Sequence, residues 1–189
     1  MYNHHVKRAI DLVAAVVLLI ALAPLLLLVV IAIRLDSSGP AIYTQTRVGL
    51  KGRPFTIYKF RSMKMGTPLV AILPDPNEYS TRLGRFLRTT SLDECPQLWN
   101  IVIGDMSFVG PRPSMLDEYE LNQERMRLGI NEVRPGLTGY AQIKGRDYIT
   151  REQKIELDRY YLDHFSFRLD LVIVCSTLLK VVRREGVRG

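Results

Sequence analysis

The sequence predicts an α+β, membrane-associated protein: an apolar N-terminal helix joined to a small polar domain of short strands and helices. Three observations carry this. Twenty-two residues between Asp11 and Arg34, "LVAAVVLLIALAPLLLLVVIAI", hold no charge. Two β-like runs follow a polar break, and several helix start and stop signals follow those runs. The formal net charge is +7, which favours anionic partners: nucleic acid, an anionic membrane face or phosphorylated ligands.

The apolar segment is long enough to cross a bilayer core, for which about 20 helical residues suffice. It exceeds a signal-peptide core, and no small-residue cleavage site follows it. Pro24 sits at its midpoint, where it removes one helical hydrogen bond. Basic residues flank both ends, Lys7 and Arg8 before and Arg34, Arg47, Lys51 and Arg53 after. Both flanks therefore prefer the cytoplasmic side. A spanning helix and a kinked, re-entrant one both remain open on these residues.

After "DSSGP" come "AIYTQTRVG" and "FTIYKFRSM", strands separated by turn signals at Gly52 and Pro54. The period of two puts Phe55, Ile57, Lys59 and Arg61 on one face. Residues 64–80, with Pro68, Pro74 and Pro76, read as a loop. "STRLGRFLRTTS" reads as a short helix with Arg82, Arg85 and Arg88 on one side. "TTSLDECPQLWN" opens the next helix. Ser91 followed by Glu94 fits a capping box, but Pro96 favours a start at Asp93, where the missing N–H costs nothing. That helix ends at Gly104.

"DMSFVGPRPSM" reads as a short buried strand and turn, "MLDEYELNQERMRLG" as a charged helix, and Thr138–Ile143 as a strand. Thr150 and Gln153 form a second capping box, for a helix to about His164. "FRLDLVIVCSTLLKVVRREGVRG" is too short to span and suits either an interfacial amphipathic helix with its basic residues on headgroups, or a core helix with a solvated tail. Cys95 and Cys175, far apart in sequence, suggest neither a disulfide framework nor a zinc site. His4, His5 and His164 have no metal-ligand spacing. A nucleic-acid binder is disfavoured, because the apolar segment has no place in one.

The polar middle holds the chemistry. Pro111 and Pro113 hold Arg112 on a stiff backbone, which lowers the cost of ordering its planar fork on a phosphate. The adjacent carboxylates Asp93 and Glu94, set among Lys59, Arg61, Arg85, Arg88 and Arg112, suit a divalent metal and a diphosphate. Magnesium takes one or two carboxylates plus phosphate oxygens and water, cations neutralise charge in phosphoryl transfer, and a carboxylate can be the nucleophile. Taken singly, each feature is also compatible with a helix cap, a solvated face or a rigid turn.

"KFRSM" at 59–63, "LGRFLRTTSLDECPQLWNIVIGDMSFVGPRP" at 83–113 and "VRPGLTGYAQIKGR" at 133–146 resemble the monotopic phosphoglycosyl transferases, or bacterial sugar transferases, of the small single-domain type. The resemblance runs from "KRAIDLV" to the basic C-terminal helix. It implies transfer of a phosphosugar from a UDP-sugar to polyprenyl (undecaprenyl) phosphate, giving UMP and a polyprenyl-diphosphate-sugar. It implies Asp93 as the nucleophile, forming a covalent phosphosugar intermediate, and Glu94 as the partner for Mg2+ and for deprotonation of the acceptor. Lys59, Arg88 and Arg112 match positions that hold phosphates or nucleotide, with Arg61, Arg85 and Arg146 beside them.

The resemblance also implies a re-entrant helix over residues 1–35, kinked at Pro24, and a cytosolic catalytic domain over 36–189. The protein would lie at the bacterial inner membrane on its cytoplasmic face, with phospholipid and downstream glycosyltransferases as candidate partners. At the kink the chain has Ala23-Pro24 where Ser-Pro is frequent. The competing class is a non-catalytic membrane-surface module that binds anionic lipid or organises a glycan-assembly complex.

Overall fold

The charge-free run forms the middle of a single helix, α1 (His4–Asp36), in the computed structural model, which describes residues 2–68, 76–145 and 149–183. Asn3 caps its start, its side chain accepting the N–H groups of His5 and Val6 at 3.0 and 2.9 Å. Helical assignment continues through Pro24. At 1.5 Å per residue such a helix is roughly 50 Å long.

Along that length one face stays on the rest of the protein. Lys7, Asp11 and Ala15 are buried. Leu19 and Leu22 pack against a core of Ile57, Leu98, Ile101 and Met106, and Leu26, Val29, Val30 and Ile33 pack with Ala41, Phe60 and Leu87. The spacing of three and four is that of one helical stripe. The other face, including Val13, Val17, Ile20, Leu27, Leu28 and Leu35, is exposed, an apolar surface far longer than water-soluble monomers carry.

Both ends of α1 are tied down by charged groups. Lys7 pairs with Asp170 at 2.7 Å, and Asp11 accepts the Ser107 hydroxyl at 2.7 Å. Arg8 donates to the carbonyls of Ile101 and Val102. At the far end Arg61 donates to the Ser37 carbonyl and hydroxyl, both at 2.8 Å. Lys7 and Arg8 are therefore internal fastenings, not free flanking charges.

The two predicted strands are β1 (Ile42–Val48) and β2 (Pro54–Phe60), an antiparallel hairpin that pairs Tyr43 with Lys59. Its turn uses the left-handed region at Lys51 and Gly52. A short helix, α2 (Pro76–Tyr79), leads to α3 (Arg82–Thr89), capped by Thr81, and then to α4 (Gln97–Ile103). Gly84 lets α3 press on the hairpin's continuation, since a Cβ there would meet the Ser62 carbonyl oxygen at 1.8 Å.

The second sheet is a parallel pair, β3 (Ser107–Val109) and β4 (Gly136–Thr138), bridged through α5 (Tyr119–Arg127). A Cβ on Gly136 would lie 2.2 Å from the Gly110 nitrogen, so the two segments approach at glycine distance. The strand expected over Thr138–Ile143 stops at Thr138. Tyr140–Lys144 is a helical turn, α6; Gly139 is still extended and the helix starts at the next residue. Then α7 (Arg151–Asp163) opens on the predicted Thr150–Gln153 capping box, and α8 (Phe167–Arg183) closes the described chain. Leu171, Val172, Leu178, Leu179 and Val182 of α8 are exposed, while Ile173 is buried with Val109 and Tyr161. Lys180 donates to the Ile143 carbonyl at 2.6 Å, so this basic residue of α8 is fastened to the protein. Arg184 and Arg188 lie outside the described residues.

Candidate active site

The acidic pair sits where the chain turns from α3 into α4. Ser91 takes a left-handed φ of 57°, and Leu92–Glu94 form one 3-10 turn. Cys95 and Pro96 have right-handed helical angles and lead into α4. The α-helix thus begins at Gln97, later than the expected Asp93. Pro96 precedes its first turn, where a missing N–H loses nothing. Ser91 makes no side-chain cap bond, so the capping box at Ser91–Glu94 is not formed. The Glu94 carboxylate is instead drawn to two full positive charges.

Those charges come from opposite directions. Lys59, near the end of β2, reaches Glu94 Oε1 at 2.7 Å, and Arg112, from the turn after β3, reaches the same oxygen at 2.8 Å. The Glu94 side chain is 20% exposed, so these are sheltered, charge-assisted bonds. Burial raises the Glu94 pKa, but the charges and hydrogen bonds of Arg112 and Lys59 prevail and hold it well below the usual carboxylate range. Glu94 is a fixed anion.

Asp93 has a different environment. Among the described residues its carboxylate makes no ion pair or side-chain hydrogen bond. Burial pushes its pKa up to about 6, the Glu94 charge adds to the rise, and Lys59, Arg88 and Arg112 pull it back. Two adjacent acids thus differ in environment: one is clamped and ionised, the other has no ion pair or side-chain hydrogen bond among the described residues. The neighbouring Cys95 thiol is pushed up to about 11 by burial and both carboxylates, so it is protonated at neutral pH.

Arg112 is held from behind. The parallel approach of Gly110 to Gly136 fixes the turn, and the buried Arg125 donates to the Arg112 carbonyl at 2.9 Å. Arg125 is itself paired with buried Asp158. Arg47 of β1 donates to the Pro113 carbonyl at 3.4 Å and contributes to the charge around Arg112.

The other expected cations divide. Arg88 is half-buried, lies 3.4 Å from the Ser80 hydroxyl and acts on Asp93. Arg82 and Arg85 are exposed, and neither figures among the charges acting on Asp93. A spacing of three residues drifts by about 60° per step on a 3.6-residue helix, so the three arginines do not share one face. Arg61 follows the end of β2, and its side chain goes to Ser37 at the end of α1. It fastens the end of α1 and does not project with Lys59. Arg146 lies outside the described residues.

Asn100, Arg125 and Asp158 were not anticipated. Asn100 could have been noticed as the one polar residue inside "LWNIVI". Arg125 and Asp158 lie in helices whose many charges hide them.

Among the described residues, no group of three or more His, Cys, Asp or Glu could enclose a metal. The donor set that does fit a hard dication is Asp93 with the Glu94 oxygen that the two cations leave free. Phosphate oxygens and water would complete the shell, which is the ligand set magnesium favours.

A profile described as "Bacterial sugar transferase" matches residues 2–184. The chain is 44% identical over 183 residues to the "Uncharacterized sugar transferase EpsL" of Bacillus subtilis, covering 96% of this chain and 90% of that one. It is 44% identical over 189 residues to the UDP-glucose:undecaprenyl-phosphate glucose-1-phosphate transferase of Caulobacter vibrioides, covering 95% and 71%. Identity is 36% over 201 residues to the undecaprenyl-phosphate galactose phosphotransferase of Salmonella typhimurium, with 97% of this chain but 42% of that relative covered.

Proposed function

Because the chain belongs to the bacterial sugar transferase family, we propose that it transfers a sugar 1-phosphate from a UDP-sugar to a polyprenyl phosphate, releasing UMP. The observation that carries this is the inequality of the acidic pair: Glu94 clamped by Lys59 and Arg112, Asp93 uncommitted beside it.

In the first step an Asp93 carboxylate oxygen attacks the β-phosphorus of the donor. The bond from that phosphorus to the bridging oxygen breaks, UMP leaves with the electron pair, and the phosphosugar remains on Asp93 as an acyl phosphate. In the second step an oxygen of the polyprenyl phosphate attacks the same phosphorus and frees Asp93. Lys59, Arg88 and Arg112 surround Asp93 with positive charge and would face the transferred and leaving phosphates, and fixed cations stabilise such a transition state without reorganising. Asp93 and Glu94 would hold magnesium, which would supply further neutralisation of the diphosphate. Glu94, an anion at every working pH, orients the cations and receives a proton poorly on its own.

We read α1 as re-entrant. Its two ends are fastened to the same domain, at Lys7–Asp170 and at Ser37–Arg61, and one stripe of the helix contacts that domain throughout. A helix leaving the domain to cross a bilayer would lose the middle of that stripe. The exposed apolar faces of α1 and α8 suit the lipid, and exposed Arg34, Lys51, Arg53, Arg82 and Arg85 suit the cytoplasmic leaflet.

A UMP-release screen over UDP-sugars, with polyprenyl phosphate, magnesium and the membrane-embedded protein, tests the reaction. At least one UDP-sugar should give acceptor-dependent turnover. Silence across the panel would leave the non-catalytic membrane module as the better reading.

A further inference from the structure

β1 covers one edge of β2 and leaves the other edge open. At that open edge stands Asn100, completely buried in α4. Its amide nitrogen donates to the Thr56 carbonyl at 2.7 Å, and its amide oxygen accepts the Tyr58 N–H at 3.1 Å. The side chain thus takes the two bonds that a neighbouring strand would take. Tyr58 is the residue before Lys59, and α4 continues directly from the turn that carries Glu94. The contacts close a ring: Glu94 to Asn100 through the helix, Asn100 to Tyr58 by a hydrogen bond, Tyr58 to Lys59 through the chain, and Lys59 back to Glu94 at 2.7 Å.

We propose that Asn100 is a positioning residue that sets the register of β2 against α4 and thereby delivers Lys59 to Glu94. A strand's side chains alternate between faces, so a slip of one residue would send Lys59 to the wrong side. The two hydrogen bonds of Asn100 are made to a carbonyl and an N–H two residues apart on one edge of β2, and a one-residue slip would turn both groups to the other edge. An apolar residue of similar size would fill the space without reading the register, and would leave both backbone groups unpaired. This assignment rests on the proposed reaction only for its kinetic arm. The geometric arm stands without it.

The test compares Asn100→Ala, Lys59→Ala and the double variant in the membrane-embedded full chain. Amide exchange across Thr56–Lys59 reports the pairing of β2, and UMP release gives kcat and KM for each variant. Asn100→Ala removes the acceptor of the Tyr58 N–H, so that amide should exchange faster, and kcat and KM should shift in the direction that Lys59→Ala shifts them. UMP release should fall roughly tenfold to a hundredfold, the scale of a small misplacement. In the Lys59→Ala background, Asn100→Ala should add little, because both act through one contact.

An Asn100→Ala protein that melts earlier but keeps the wild-type kcat and KM would overturn the proposal, as would fully additive losses. If Asn100→Ala does not fold, Asn100→Ser, which keeps a smaller polar group, is read by the same criteria. If no UDP-sugar yields UMP even with the wild type, the reaction is wrong, and a structure of Asn100→Ala decides: loss of the Lys59–Glu94 contact is expected, and its retention would overturn the role of Asn100.

Discussion

Lys59 Nζ lies 2.7 Å from Glu94 Oε1, and this contact joins the hairpin to the turn that carries Asp93. It makes the charge state of Asp93 sensitive to both partners. Glu94 raises the Asp93 pKa and Lys59 lowers it.

The pH profile follows from those signs. Asp93 must be ionised to attack, so kcat/KM should fall as pH drops through about 6. Replacing Glu94 by Gln removes a like charge and should move this acid limb down. Replacing Lys59 by Ala removes an opposite charge and should move it up. Both variants should lose activity, and the opposite displacement of their limbs is the diagnostic measurement.

Arg112 should not tolerate a conservative change. Lysine keeps the charge but loses the planar fork. A charge-assisted hydrogen bond contributes about 1.5–3 kcal/mol, so Arg112→Lys should cost roughly ten- to a hundredfold in kcat/KM. Thermal unfolding should be little changed, because the Arg112 side chain is 39% exposed.

The support behind Arg112 separates stability from activity. Asp158→Asn leaves Arg125 buried without its carboxylate and should destabilise by about 3–5 kcal/mol. The double replacement Arg125→Met with Asp158→Leu should recover most of that loss in a thermal melt. Activity should stay low in the double variant, because the Arg112 carbonyl has lost its donor.

Topology has its own readout. In a background lacking Cys95 and Cys175, single cysteines at positions 3 and 38 flank α1. A membrane-impermeant thiol reagent should label both in inverted vesicles and neither in intact cells. Labelling of position 3 from outside intact cells would show a spanning helix.

Much of this fold was legible because it follows local periodicity. The hairpin, the Thr150 capping box and the long apolar helix each carry their signal within a few residues. Tyr140–Lys144 departs from the expected strand because the backbone turns helical at Tyr140 after an extended Gly139, a change that the mixed residues of Thr138–Ile143 do not signal. The candidate site was legible as composition, since Asp93, Glu94, Lys59, Arg88 and Arg112 stand out as charges beside prolines and apolar runs. Their geometry was not. Arg61 and Lys59 share a strand period, yet β2 ends at Phe60, so Arg61 is free to cap α1. Lys7 and Asp170 are 163 residues apart, and only tertiary structure reveals that a flanking charge is buried in an ion pair. Asn100 and Arg125 act on backbone atoms of distant segments, which no spacing rule encodes.

The central claim is that Asp93 carries the phosphosugar. The direct measurement is intact and peptide mass of the protein after incubation with its UDP-sugar and magnesium, without polyprenyl phosphate, alongside quantified UMP. The account predicts up to one equivalent of UMP and a matching sugar-phosphate adduct on the peptide containing Asp93, discharged when polyprenyl phosphate is added. Asp93→Asn should give neither UMP nor adduct while remaining folded and membrane-bound. UMP formed only when acceptor is present, with no adduct at any time, would contradict it, as would wild-type turnover by Asp93→Asn.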